Sequence, residues 1–245
     1  MEQDEAWLLR DKYAGVTSEE FMAGCLRLRA GEPLAYVIGH VPFLNAEIYL
    51  DSQPLIPRPE TEFWTAEAIE DMKNTAGPIR VLDLCAGSGA IGIAVAMRIP
   101  QAHVDFAELV PAHLPTIARN ARENSIDASR IALYESDLFA RLPQGARYDY
   151  ILSNPPYIDK ALLRTDENVL RFEPHEALFG GYAGLELIER IMSASKEFLA
   201  EEGTLYLEHE PEQSARIQEI ASACGLRAET RHDQYGVERW SMLHN

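Results

Sequence analysis

Between residues 79 and 243, apolar segments of strand character take turns with amphipathic helical ones, and that alternation leaves few folds open. Ile79-Arg80-Val81-Leu82-Asp83-Leu84 reads as a strand, followed by a glycine-rich turn and a helix over Ala90–Arg98. His103–Ala107 is the next strand, and Leu114, Ile117, Ala118 and Ala121 mark one face of the next helix. Ile131–Glu135 and Tyr148–Ser153 are short strands. Leu185, Ile188, Met192 and Leu199 place a helical face that Gly203 ends, with Thr204–Leu207 as the following strand. A helix opens at Pro211, buries Ile217, Ile220, Ala221 and Cys224, and stops at Gly225, with proline early and glycine just past the end. Leu226–Thr230 and Arg239–Leu243 complete the set. This pattern predicts an α/β, Rossmann-like domain: a mostly parallel seven-stranded sheet with helices on both faces. The last two strands leave no room for a crossover helix, so one of them runs antiparallel to its neighbours.

The chain divides into a short helical segment over 1–32, a β-hairpin with a Pro-rich connector over 33–60, and a main domain over 61–245. Thr17-Ser18-Glu19-Glu20 has the form of a capping box, with Thr17 at the cap. Tyr36–Val41 and Glu47–Leu50 read as the extended arms of the hairpin, with Leu44-Asn45-Ala46 between them. Pro57-Arg58-Pro59 cannot lie inside a helix.

Apolar types make up 47% of the 245 residues, which excludes a disordered chain. Lys and Arg number 22 against 39 Asp and Glu, and the resulting charge of −17 works against any broad phosphate-binding surface. No stretch is long and apolar enough for a membrane span. The acidic start lacks the pattern of a secretory signal. Cys25, Cys85 and Cys224 have neither disulfide nor zinc spacing, so no metal is expected. The expectation is a cytoplasmic monomer without membrane or nucleic-acid partners.

Gly87, Gly89 and Gly92 fit G-x-G-x-x-G between the first sheet strand and its helix, and Glu108 follows the second strand. Glycines let a backbone approach a nucleotide, and an acid at that place accepts from ribose hydroxyls. Alone, this turn suits NAD as well as S-adenosylmethionine. Asp83 separates them, because a carboxylate on the strand repels a diphosphate and attracts a sulfonium and an amino group. Ser136-Asp137-Leu138 follows the third strand, where Asp137 can bond an exocyclic amine and Leu138 can pack on an adenine ring.

Asn154-Pro155-Pro156-Tyr157 follows the strand Tyr148–Ser153, beside the glycine turn at the expected switch point. These residue types suit methylation of a planar NH₂ nitrogen, a poor nucleophile because its lone pair is delocalised. The Asn154 side-chain oxygen and the Pro155 carbonyl accept its two N–H bonds, Pro156 stiffens the turn, and Tyr157 packs on the flat group. Both hydrogen bonds strengthen as charge develops on nitrogen. Positioning supplies up to about 7–11 kcal/mol.

Asp83 with Gly87-Ser88-Gly89, paired with Asn154-Pro155-Pro156-Tyr157-Ile158, resembles the HemK/PrmC protein-glutamine methyltransferases. Gly31–Tyr36, Leu55-Ile56-Pro57-Arg58-Pro59-Glu60-Thr61-Glu62, Arg171-Phe172-Glu173-Pro174, Leu207-Glu208-His209 and Tyr235–Arg239 carry the same resemblance. It implies a class I S-adenosylmethionine-dependent fold and methyl transfer to the Gly-Gly-Gln glutamine of peptide-chain release factors. It assigns the methyl donor to Cys85, Ala86, Gly87, Ser88, Gly89, Glu108, Leu138 and Asn154. Glutamine goes to Asn154, Pro155, Pro156 and Tyr157, with Arg58 walling the site. Glutamine methylation of a ribosomal protein, or methylation of an adenine amine in DNA or RNA, are the alternatives.

Three departures stand out. Cys85-Ala86 replace the usual Gly-Thr, so Cys85 is expected to avoid a left-handed conformation. Glu210 stands where the family often has Gly, and Glu208, Glu210 and Glu212 read as a solvated acidic rim. Only about thirty residues precede the matching region, fewer than the helical domain with which the family grips its protein substrate.

Overall fold

The computed structural model describes residues 2–162 and 164–245. Helices α1 (Gln3–Asp11), α2 (Glu19–Arg29) and α3 (Leu34–Ile38) close a small core of Leu8, Phe21, Cys25 and Val37. The cap of α2 is Ser18, one residue later than the sequence pattern indicates. Its extended backbone lets Oγ accept from Phe21 N at 3.2 Å. Residues 36–38, expected to be extended, are helical. The Pro33 carbonyl accepts from Tyr36 N and Val37 N, while Tyr36 Oη donates to the Pro54 carbonyl at 2.7 Å. Tertiary contacts thus overrule the strand preference of an aromatic and β-branched run. Gly39, at φ +102°, ends the turn of helix.

The hairpin pairs β1 (His40–Phe43) with β2 (Ala46–Tyr49). Leu44 and Asn45, both left-handed, form its two-residue turn, the backbone hand that matches strand twist. Helix α4 (Pro59–Met72) starts with proline at its first position and buries Thr61, Trp64, Ala68, Ile69 and Met72.

The alternation then runs β3 (Ile79–Leu84), α5 (Ala90–Arg98), β4 (Ala102–Glu108), α6 (Leu114–Glu123), β5 (Ile131–Glu135) and β6 (Tyr148–Ser153). It continues through α7 (Glu167–Phe172), α8 (Glu186–Ser195), β7 (Leu199–Glu208), α9 (Ser214–Cys224), β8 (Arg227–His232) and β9 (Glu238–His244). The seven-stranded sheet has the order β5-β4-β3-β6-β7-β9-β8, parallel except for β9, which is antiparallel to both β7 and β8. Leu199 belongs to β7 and not to the preceding helix. Gly203 lies inside that strand, where a Cβ would stand 2.8 Å from the Tyr148 carbonyl oxygen, so close backbone approach rather than helix termination requires it.

Strand residues alternate between two cores. Ile79 and Val81 face Trp64, Ile93, Phe106, Tyr206 and Trp240, whereas Leu82 and Leu84 face Tyr148, Ile188, Met192, Leu205 and Ile217. Helix α5 packs so tightly on β4 that a Cβ on Gly92 would lie 2.4 Å from the Phe106 ring and 3.0 Å from Asp83 Oδ2. Gly92→Ala therefore gains about 1 kcal/mol of helix propensity and loses about 1–3 kcal/mol to overpacking. A lower urea midpoint is expected, and an unchanged or higher one would contradict this packing.

Candidate active site

Sheet order reverses at β3, so the C-terminal ends of β3 and β6 adjoin and open a crevice. Beyond β3, Cys85 N and Ala86 N both donate to the Ala107 carbonyl, at 3.0 and 3.2 Å. That pair of hydrogen bonds to β4 turns the chain at once, and Cys85 takes the left-handed conformation, φ +62°, that its side chain was expected to avoid. The cost is about 1 kcal/mol or more. Gly87 (φ +54°) and Gly89 (φ +78°) complete the turn into α5. Burial pushes the Cys85 thiol up to about 12, so it stays protonated.

Glu108, buried at the end of β4, accepts from Gly87 N and Val110 N at 2.7 Å each and so braces the turn. Asp83 lies beneath it. Oδ2 accepts from Gly92 N at 2.8 Å, while Oδ1 is buried without a partner among the described residues, and burial pushes the carboxyl up to about 8. Asp83, Ala86, Ser88 and Gly89 belong to the strand end and the turn but not to the lining of the cavity beside it. Cys85, Gly87, Glu108, Asp137, Leu138 and Asn154 line a narrow cavity of about 100 Å³.

The lining of this cavity fits a cationic nucleoside. Its carboxylates are Glu108, Asp137 and Glu176, and the described lining residues include no Lys or Arg to meet a diphosphate. Leu109, Val110, Leu138 and Leu187 supply apolar walls for a flat ring. At Gly87 a Cβ would meet only Pro54, at 4.0 Å, which leaves the backbone open to a ligand. The orphaned Asp83 oxygen adds an unbalanced acceptor that positive charge above the turn would relieve. Asp137 is held by Arg190, with both oxygens at 2.9 Å, rather than free for an amine. His113, which has no ligand spacing in the sequence and is expected to be solvated or hydrogen-bonded, also lines the cavity; its Nδ1 bonds Ser52 Oγ at 2.8 Å, and burial holds it below the usual histidine range.

At the end of β6 a larger cavity of about 580 Å³ begins, lined by Arg58, Asn154, Pro155, Tyr157, Glu208 and Arg239 among others. Leu55, Asn154 and Ala177 face both cavities, whereas Pro156 faces only the narrow one. Glu208 is not part of a solvated rim. It is 1% exposed and accepts from Thr61 Oγ1 (2.7 Å), Trp64 Nε1 (2.6 Å) and Tyr157 Oη (2.8 Å). Burial raises its carboxyl, and the Tyr157 phenol beside it is pushed well up. Thr61 Oγ1 in turn accepts from Asn154 Nδ2 at 3.0 Å. Of the three acids read as a rim, Glu212 is exposed and pairs with Arg164, and Glu210 pairs with Arg239 at 3.3 Å.

Arg58 donates to Glu173 at 2.6 Å, and Glu173, 4% exposed, also accepts from Ile56 N. Two segments read separately in the sequence are thereby locked into one wall. Gln213 holds the same loop from the far side, its Nε2 donating to the carbonyls of Tyr157 and Ala183. Glu173 and Glu208 lie in segments that carry the family resemblance, but neither those segments nor anything around Gln213 indicates what these side chains hold. The placement of Glu208 at the end of an apolar parallel strand is a second signal that sets it apart from Glu210 and Glu212.

A release factor glutamine methyltransferase from Burkholderia pseudomallei is 38% identical over 226 residues, covering 90% of this chain and 79% of that protein. The chain belongs to the release factor glutamine methyltransferase family. The enzyme of that name from Bordetella pertussis is 37% identical, covering 88% of this chain and 78% of its own length. The Methyltransferase small domain family matches residues 66–171. In fold, the chain is similar to a methyltransferase from Pyrococcus furiosus, with a TM-score of 0.57 at 16% identity, covering 91% of this chain and 96% of that one. A T. thermophilus 16S rRNA methyltransferase in complex with AdoMet and guanosine aligns with a TM-score of 0.56 at 18% identity, over 84% of this chain and 49% of that one. The class I fold anticipated for the HemK/PrmC resemblance is therefore the fold observed.

Asp83 gives this family member a pH signature. Its ordinary value is 3.8, and the folded chain raises it to about 8. Across that window the folded state retains a proton that the unfolded chain has released, so stability is fully present below about pH 4 and is lost as pH rises towards 8. The thermal midpoint of cofactor-free protein is expected to fall between about pH 5 and pH 8, and Asp83→Asn to flatten that fall. An equal decline in the variant would contradict the assignment.

Proposed function

We propose that the chain methylates the side-chain amide nitrogen of the glutamine in the Gly-Gly-Gln motif of a peptide-chain release factor. The observation that carries this reading is that Asn154 faces both cavities at once. One cavity suits a cationic nucleoside and the other is large enough for a side chain entering from a protein partner.

S-adenosylmethionine would be held by the turn Cys85–Gly89 with Glu108 and Leu138 and would supply an electrophilic methyl group. The remaining work is done by this chain. Asn154 Oδ1 and the Pro155 carbonyl accept the two N–H bonds of the incoming amide, which orients its nitrogen lone pair and strengthens both bonds as positive charge develops there. Pro155 is buried and Pro156 follows it, so that carbonyl is held without cost at the moment of reaction. Tyr157 stays a neutral phenol, tied to Glu208, and offers its ring to the flat amide. Arg58, locked to Glu173, walls the entrance.

The described residues contain no group of three or more His, Cys, Asp or Glu placed to hold a metal ion, and the amide-orienting chemistry asks for none. Among the described residues, no helix is long and apolar enough to cross a membrane. We read the chain as a cytoplasmic monomer whose protein substrate is its only macromolecular partner.

Mass spectrometry of a purified release factor after incubation with the protein and S-adenosylmethionine is expected to show a gain of one methyl group on the Gly-Gly-Gln peptide. No gain would overturn the proposal. Asn154→Ala is expected to abolish that gain while cofactor affinity by calorimetry changes by less than about tenfold. Loss of cofactor binding instead would show that Asn154 serves the cofactor and not the amide.

A further inference from the structure

We propose that Thr61 and Glu208 form a directional hydrogen-bond relay that fixes the orientation of the Asn154 amide and thereby makes the site select a glutamine amide over a glutamate carboxylate. The relay rests on the function proposed above and adds to it a specificity device built from two positioning residues.

The direction follows from donor chemistry. An indole N–H can only donate, so Glu208 Oε2, which Trp64 Nε1 meets at 2.6 Å, is an acceptor there. Thr61 Oγ1 meets the same oxygen at 2.7 Å and commits its single proton to it. With that proton spent, Thr61 Oγ1 can only accept, and the group of Asn154 that faces it at 3.0 Å must be the NH₂. Asn154 Oδ1 is therefore turned away from Thr61, and it accepts no hydrogen bond from the described side chains. Thr61, Trp64 and Glu208 are 3%, 0% and 1% exposed, so bulk water cannot replace a missing link or scramble its direction.

The consequence falls on the substrate. An acceptor at Asn154 matches an incoming NH₂. A glutamate side chain of the same shape would bring a carboxylate oxygen against it and leave two acceptors facing without a proton between them. Sites that hydrogen-bond a donor reject analogues lacking it because the site's own polar group is left unpaired. If the Asn154 amide could rotate freely, it would offer NH₂ to the carboxylate and the discrimination would vanish. The same Glu208 also receives Tyr157 Oη at 2.8 Å, so one carboxylate holds both ends of Asn154–Tyr157.

The test compares the full chain with its Thr61→Val and Thr61→Ser variants. The substrate is a release factor, and the competitor is the same factor carrying glutamate in place of the Gly-Gly-Gln glutamine. Thr61→Val is expected to lower kcat by about 10- to 100-fold, leave the cofactor Kd within about twofold, and tighten inhibition by the glutamate competitor relative to the KM for the glutamine substrate. Thr61→Ser restores kcat and the preference.

A Thr61→Val variant with kcat and preference within about twofold of wild type would overturn the relay while leaving the methyl-transfer function intact. Failure of the wild-type chain to methylate the release factor would overturn that function and the relay with it. Glu208→Gln and Glu208→Met read the relay from its other end, should Thr61→Val fail to fold. The glutamine variant keeps an acceptor oxygen for Trp64 and Thr61 and is expected to retain the preference, which the methionine variant loses. Equal preference in both would overturn the relay.

Discussion

The parallel pairing of β3 with β6 is the contact on which the site depends. It sets Leu84 opposite Ser153, and Ser153 Oγ donates to the Leu84 carbonyl at 2.8 Å where both strands end. The next residues on each side, Cys85 and Asn154, start the two turns that line the narrow cavity. Neither turn is adjacent to the other in the chain. The crossover through β4 and β5 separates them, and the reversal of strand order returns them to one crevice.

Around that crevice the chain buries acids and meets the cost in different ways. Glu208 gathers three donors, and Glu173 an arginine and a backbone N–H; such satisfied carboxylates rigidify what they touch. Asp83 has one donor and one orphaned oxygen, so its charge is poorly supported. Glu208 and Glu173 hold the larger cavity, where an amide must be oriented, while Glu108, satisfied by Gly87 N and Val110 N, braces the turn at the narrow one. The unsatisfied acid lies under the turn that faces the narrow cavity, where a cationic ligand fits.

Most of this architecture is legible in the residues. Ile131–Glu135 and Tyr148–Ser153 have the bounds expected of them, because short apolar runs closed by turn signals leave little freedom. That one of the last two strands runs antiparallel follows from the missing crossover alone; that it is β9, inserted between β7 and β8, does not. Errors cluster where tertiary contact overrides local preference. Tyr36–Ile38 are helical because Tyr36 reaches Pro54 and Val37 joins the small core of Leu8, Phe21 and Cys25. Cys85 is left-handed because two amides share one carbonyl of β4. Glu208 looked like one of three alternating surface acids, and nothing local reveals that Thr61, Trp64 and Tyr157, distant in sequence, converge on it. Motifs name the reacting ends of a site, whereas its supports are visible only once the chain has folded.

The two-cavity geometry is tested most directly by a crystal structure of this chain with S-adenosylhomocysteine and a Gly-Gly-Gln peptide. The thioether should occupy the narrow cavity beside Gly87 and Glu108. The glutamine amide should lie in the larger one, its nitrogen within hydrogen-bond reach of both Asn154 Oδ1 and the Pro155 carbonyl. A glutamine bound elsewhere, or one whose carbonyl rather than its NH₂ meets Asn154, would contradict it.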